Sequence, residues 1–127
     1  MQTFVRLFLL AAFAFASLTA QAACNLSDLD VKITQSKWHN RCSKRDCAEL
    51  RGRAVVTSHC DEAVAVRVRL SALDANGEPV GKLERWPYAL RNVTEGEHEF
   101  SLNKWFKHDP DIRSFNIEVI EIRPLAQ

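Results

Sequence analysis

Glycine is scarce in this chain, and the four that occur, Gly52, Gly77, Gly81 and Gly96, stand apart from one another. A loop that cradles phosphate needs several glycines close together so that backbone N–H groups can converge, and this sequence has no such loop. Charge of one sign is also lacking in excess: seventeen basic residues face sixteen acidic ones. Without a basic surplus there is little counterion release to drive binding to nucleic acid or to an anionic membrane. The Cys-x-x-Cys spacing that lowers a thiol pKa in redox enzymes is absent. Ser36, Ser43, Ser58, Ser71, Ser101 and Ser114 all lack the Gly-x-Ser-x-Gly context of an activated nucleophile. These absences lead to the expectation of a non-enzymatic protein with no cofactor.

Long apolar runs are missing everywhere except at the start. Arg6 is the only charge before Asp28, and it precedes the apolar stretch Leu7 to Phe15 and then Ala20-Gln21-Ala22. That small-x-small pattern is where signal peptidase cuts. Residues 1–22 are therefore predicted to be an export signal, and residues 23–127 a single domain of the periplasm or the secreted space, with no membrane span. Lipidation at Cys24 is the rival reading; Gln21 stands where a lipidated cysteine usually has a leucine-like residue. Loss of Arg6 leaves sixteen basic residues against the sixteen acidic ones. The balance is uneven along the chain. Between Val31 and Leu70, Lys32, Lys37, Arg41, Lys44, Arg45, Arg51, Arg53, Arg67 and Arg69 outnumber Asp46, Glu49, Asp61 and Glu62. Such a tilt suits either an acidic partner or a solvated strand face.

What is present has the period of strands. Leu29, Val31 and Ile33 alternate with polar neighbours over 29–36, and a short second strand covers 54–58. The clearest alternation is Val64, Val66, Val68 and Leu70 against Ala65, Arg67, Arg69 and Ser71. Ala75 to Pro79 supplies turn chemistry, with Asn76-Gly77 suited to positive φ, before a returning strand over 80–86. Further strands are predicted over 97–102 and 113–123. In the last, the apolar phase slips from Phe115, Ile117 and Val119 to Ile120 and Ile122, as a β-bulge or a twist produces. Asn103 to His108 is the one stretch predicted to form a helical turn, with Asn103 as its cap. Six or seven short strands without long helices predict an all-β fold, a single antiparallel immunoglobulin-like β-sandwich.

Four cysteines, Cys24, Cys42, Cys47 and Cys60, permit three connectivities. Residue numbers in the nested pairs Cys42/Cys47 and Cys24/Cys60 add to nearly the same total, which places both near one antiparallel hairpin axis and favours that pairing. Oxidation fits an exported compartment. Asn25-Leu26-Ser27 and Asn92-Val93-Thr94 match the glycosylation sequon, which matters only in a eukaryotic secretory route.

Leu50 to Cys60, Val64 to Asp74, Asn76 to Val80 and Thr94 to Phe100 together resemble the bacterial exported FxLYD-type domains and related immunoglobulin-like sandwiches. Those share a Gly-x-Val strand, a valine-rich strand ending in aspartate, a glycine turn and a Gly-Glu-x-x-x-Phe segment. Here the naming motif reads Leu70-Ser71-Ala72-Leu73-Asp74, with leucine in place of tyrosine. The resemblance implies an immunoglobulin-like fold and a non-catalytic role, and brings no catalytic residues.

Candidate contact residues are therefore sought among aromatics beside arginine, the side chains that carry interface energy. Arg85, Trp86, Tyr88 and Arg91 form one such group, and Trp105 with Phe106 a second, in which adjacent rings on one helical turn would leave one exposed. These residues point to a non-catalytic module that binds a protein partner through aromatic and arginine-rich loops or an exposed strand edge, in the manner of an envelope-assembly accessory or an immunity-type protein. The alternative is a small periplasmic metal- or ligand-handling protein using His39 and His59. His108-Asp109-Pro110-Asp111 reads as a turn rather than as an acid–base group.

Overall fold

The computed structural model describes residues 24–40 and 47–125. The predicted export signal, residues 1–22, and Cys42 lie outside them. Six strands form: β1 (Leu29–Asn40), β2 (Ala48–Ser58), β3 (Val64–Leu73), β4 (Pro79–Arg85), β5 (Gly96–Ser101) and β6 (Ser114–Pro124). They build two antiparallel three-stranded sheets, ordered β1-β2-β5 and β4-β3-β6. The sheets pack face to face, so the chain is the all-β sandwich that its alternation predicts.

Strand β3 shows why. Val64, Val66, Val68, Leu70 and Ala72 are all buried, while Ala65, Arg67 and Arg69 between them keep some exposure. A period of two is what turns one face of a strand inward. Leu50, Ala54 and Val56 of β2, Phe100 of β5 and the following Leu102 fill the core from the other sheet. Strand β6 answers β3 with the predicted slip in phase. Arg67 stands opposite Glu121 but Val68 opposite Val119, so Ile120 is an extra residue in the ladder. This bulge lets Phe115, Ile117 and Val119 before it, and Ile122 after it, face buried positions of β3.

A second bulge makes β1 longer than its sequence suggests. Ile33 pairs with Ala54 and Gln35 with Arg53, leaving Thr34 unpaired, its hydroxyl donating to the Arg53 carbonyl at 3.2 Å. Before the bulge the odd residues Val31 and Ile33 face buried positions of β2; after it the even residues Ser36 and Trp38 do, opposite Gly52 and Leu50. The alternation breaks at Thr34, so the predicted strand stops near residue 36 while the observed one reaches Asn40. Strand β2 likewise starts at Ala48 instead of residue 54. Gly52 is required where the two strands meet: a Cβ there would run into the Gln35 carbonyl oxygen, a backbone atom unable to rotate away.

The predicted helical turn at Asn103 to His108 does not form. That segment instead runs along β2 beyond the end of β5. Leu102 N–H donates to the Gly52 carbonyl, Lys104 N–H to that of Leu50, Leu50 N–H to that of Phe106, and His108 N–H to that of Ala48. Asn103 does act as a cap, but for a strand: its Oδ1 accepts from Gly52 N–H at 2.9 Å. Unsatisfied donors on β2 thus outweigh the local preference for a helical turn. Lys104, at φ 68°, supplies the reversal the segment needs.

Turn chemistry holds where aspartate leads it. Asp74 Oδ1 accepts from the N–H groups of Asn76 and Glu78 at 2.8 and 2.9 Å, and Gly77 takes the positive φ of 79°. Asn76, predicted to share that conformation, is not among the described residues with positive φ. Asp109 Oδ1 accepts from Asp111 N–H at 2.8 Å, the turn read from Asp-Pro-Asp.

Cys24 and Cys60 form a disulfide with a Cα–Cα distance of 5.4 Å, beside the Leu29↔Ser58 end of the β1–β2 ladder. The pairing is the one hairpin geometry favours. Cys47 is also disulfide-bonded; its predicted partner Cys42 lies outside the described residues. A sulfur joined to Cys60 cannot also carry a lipid thioether, which removes the reading of Cys24 as a lipidated residue. The disulfide points to an oxidising, extracytoplasmic location. Among the described residues no helix is long and apolar enough to cross a membrane.

Three stability outcomes follow. Gly52→Ala is expected to cost about 2–3 kcal/mol by urea denaturation, the range of a core clash, whereas Gly77→Ala should cost only about 1 kcal/mol for its left-handed backbone. Cys24→Ser with Cys60→Ser should lose about 3–4 kcal/mol, the chain-entropy value for a loop of this size.

Candidate functional site

The six predicted contact residues do not share one surface. Arg85 stands opposite the core residue Val68 at the free edge of β4, and its guanidinium carbon lies 5.0 Å from the centre of the Trp105 ring. Trp105 is only 9% exposed and packs on Phe100 at 6.3 Å between ring centres. Arg85 therefore lids the core there. Phe106 turns inward as well: it meets Phe115 at 5.6 Å and covers Gly81, whose missing side chain makes room for the ring. The expectation that either Trp105 or Phe106 would be left outside rested on a helical turn. Once the segment is extended along β2 and reversed at Lys104, both rings reach the interior.

Tyr88 and Arg91 are different. A 3-10 turn, Tyr88–Leu90, follows Pro87, and Leu90 on it is fully buried, which anchors the turn to the core. Tyr88 projects from it with 82% exposure. The Arg91 guanidinium lies over its ring at 4.8 Å, and the adjoining Trp86 is covered by Arg123 at 4.6 Å. Two cation–π pairs thus stand at the β4–β5 connection. Arg123 was missed in the sequence because it comes from β6, and only the β3–β6 register carries it to Trp86.

The outer face of the β4-β3-β6 sheet accounts for two of the surplus cations. Arg67 bonds Glu84 at 3.0 Å and Glu121 at 3.1 Å; Arg69 bonds Glu84 at 2.7 Å and Glu118 at 3.2 Å. Glu84 is shared between the two arginines. Its hydrogen bond from Arg69 holds its carboxyl below the usual carboxylate range, and the same bond raises the Arg69 pKa. For these two residues the solvated strand face is the correct reading of the basic tilt.

The histidines stay apart. His39 pairs across the ladder with Glu49, whereas His59 follows Ser58 at the opposite end and approaches Asp30 at 3.9 Å. About 30 Å of β2 separates the two at ordinary strand rise. Cys24, Asp28 and Cys60 bring ligand-type atoms within 4.8 Å of one another, but the two sulfurs are joined and offer no thiolate. His108 stacks edge-on against Trp38 at 5.0 Å.

A cleft of about 390 Å³ opens where β1 and β6, edge strands of opposite sheets, come side by side. Ile33, Ser36, Lys37 and Trp38 line one wall, Ile112 to Phe115 the other, and Leu50 lies within it. Trp38 and Phe115 approach to 5.7 Å across it. Lys37 and Arg113 bring charge to this opening, and among the described residues neither has an ion-pair partner.

No known protein family, curated protein or solved structure matches the chain.

The shared glutamate sets an acid response. Because the folded-state pKa of Glu84 lies below its unfolded value, its stabilising contribution is present above the normal carboxylate range. It is lost as pH falls through the folded value. Unfolding free energy measured from neutral to acid pH should therefore decline less steeply for Glu84→Gln than for the parent protein.

Proposed function

We propose that this protein is an exported, non-catalytic binding module of the periplasm or the secreted space that recognises another protein through the Tyr88–Arg91 surface. The observation that carries this reading is a tyrosine 82% exposed yet held on a structured turn under a stacked arginine. A ring presented in this way loses little conformational freedom on binding, and tyrosine and arginine are prominent among the residues whose loss weakens interfaces most. An envelope-assembly accessory or an immunity-type protein would act by such contact.

The strand order supports an immunoglobulin-like plan. In that plan strands A, B and E share one sheet and C, F and G the other, which C′ joins in the variable type. Strands β1, β2 and β5 take the first three positions and β4, β3 and β6 the places of C′, C and F. Among the described residues no strand fills the position of G beside β6.

Tyr88→Ala with Arg91→Ala should weaken capture of the partner from envelope extract by about 30-fold, the loss of roughly 2 kcal/mol typical of an interface anchor. The unfolding midpoint should stay unchanged. Undiminished capture would assign recognition to another surface.

A further inference from the structure

Backbone direction identifies a second surface, independent of Tyr88 and Arg91. Val64 exchanges both of its backbone hydrogen bonds with Val93, on the side of β3 away from β6. N–H and C=O directions alternate along a strand, so the odd-numbered residues of β3 serve β6, through partners that include Asn116 and Glu118. Phe115, Ile117 and Val119 consequently aim their N–H and C=O groups at the free edge, towards the cleft. Among the described residues no backbone hydrogen bond crosses from β1 to meet them.

Edge strands are normally blunted by brevity, bulges, lysine or proline. Strand β5 is six residues long. Strand β4 has Pro79, Lys82 and a register shift, and β1 has Lys32, Lys37 and the bulge at Thr34. On β6 the bulge and Pro124 come late, so Phe115 to Val119 is regular edge with neither device. The cleft beside it is of ligand-site size. Its charge has one sign: Lys37 and Arg113 are the charged residues that line it, and Lys37 faces Arg51 directly across the ladder, a like-charge pair that an anion would relieve.

We infer that the free edge of β6 from Phe115 to Val119 accepts an extended segment of a partner protein as an added strand. The segment is apolar at alternate positions, which enter the cleft beside Trp38, and acidic at the end that meets Lys37 and Arg113. Main-chain hydrogen bonds supply the affinity and the cleft the selection, as in other strand additions.

Three short synthetic peptides test this on the intact oxidised protein: alternating valine and threonine ended by aspartate, the same peptide ended by lysine, and the aspartate peptide with a central proline. Amide hydrogen exchange followed by NMR should slow at Phe115, Ile117 and Val119 with the aspartate peptide and stay unchanged with the proline peptide. Lys37→Glu with Arg113→Glu, folded by circular dichroism, should weaken the aspartate peptide at least about tenfold and favour the lysine peptide. Equal binding of all three peptides, or protection at Ser36 and Trp38 or around Tyr88 instead, would overturn the inference. So would protection of β6 that grows with protein concentration in the absence of peptide, since the occupant would then be a second copy of this chain.

Discussion

The structure depends on the alternation along β3. Its even-numbered residues from Val64 to Ala72 are buried to the last few per cent, and nothing in the core can be placed without them. One face of a strand cannot be satisfied alone, so the second sheet must come to meet it. The other face of β3 then carries Arg67 and Arg69 outward, where β4 and β6 bring glutamates to both sides. Burial on one face and ion pairing on the other both derive from the same period of two.

Adjusting the neighbours to that frame takes bulges. Ile120 in β6 and Thr34 in β1 each add a residue so that apolar side chains on both sides of the insertion reach the interior. At Thr34 the cost is a close backbone approach that only Gly52 accommodates. The remaining donors of β2 beyond β5 are met by the irregular run from Leu102 to His108, which carries Trp105 and Phe106 inward. Interior packing thus absorbs most of the aromatics. Tyr88 and the β1–β6 cleft are left at the surface.

The strands were legible in proportion to their regularity. β3 and β6, phase slip included, could be read from residue type alone, because Ile120 and Ile122 break the phase in plain view; the β3–β6 register makes that slip a bulge. The second half of β1 could not, since Gln35 to Asn40 is polar except for Trp38 and its phase is inverted at Thr34, a residue with no local mark of a bulge. The Asn103 segment was misread for a related reason. Its hydrogen-bond partners lie on β2, about fifty residues earlier in the chain, and a local helix cap and a distant strand cap ask for the same asparagine. Of the contact candidates, Tyr88, Arg85 and Arg91 stay exposed while Trp105 and Phe106 turn to the core, Arg85 lying over the Trp105 ring from outside, a difference set by packing.

By itself the sequence determined the period of β3, of β6 and of the first half of β1, the turns led by Asp74 and Asp109, and the hairpin axis that brings Cys24 to Cys60, because these are written in residues near one another or in simple spacing. Tertiary structure alone decided which edges remain free, which cations find carboxylates and which rings are exposed. Those depend on register between strands far apart in the chain, where shifting a single residue turns every side chain to the opposite face.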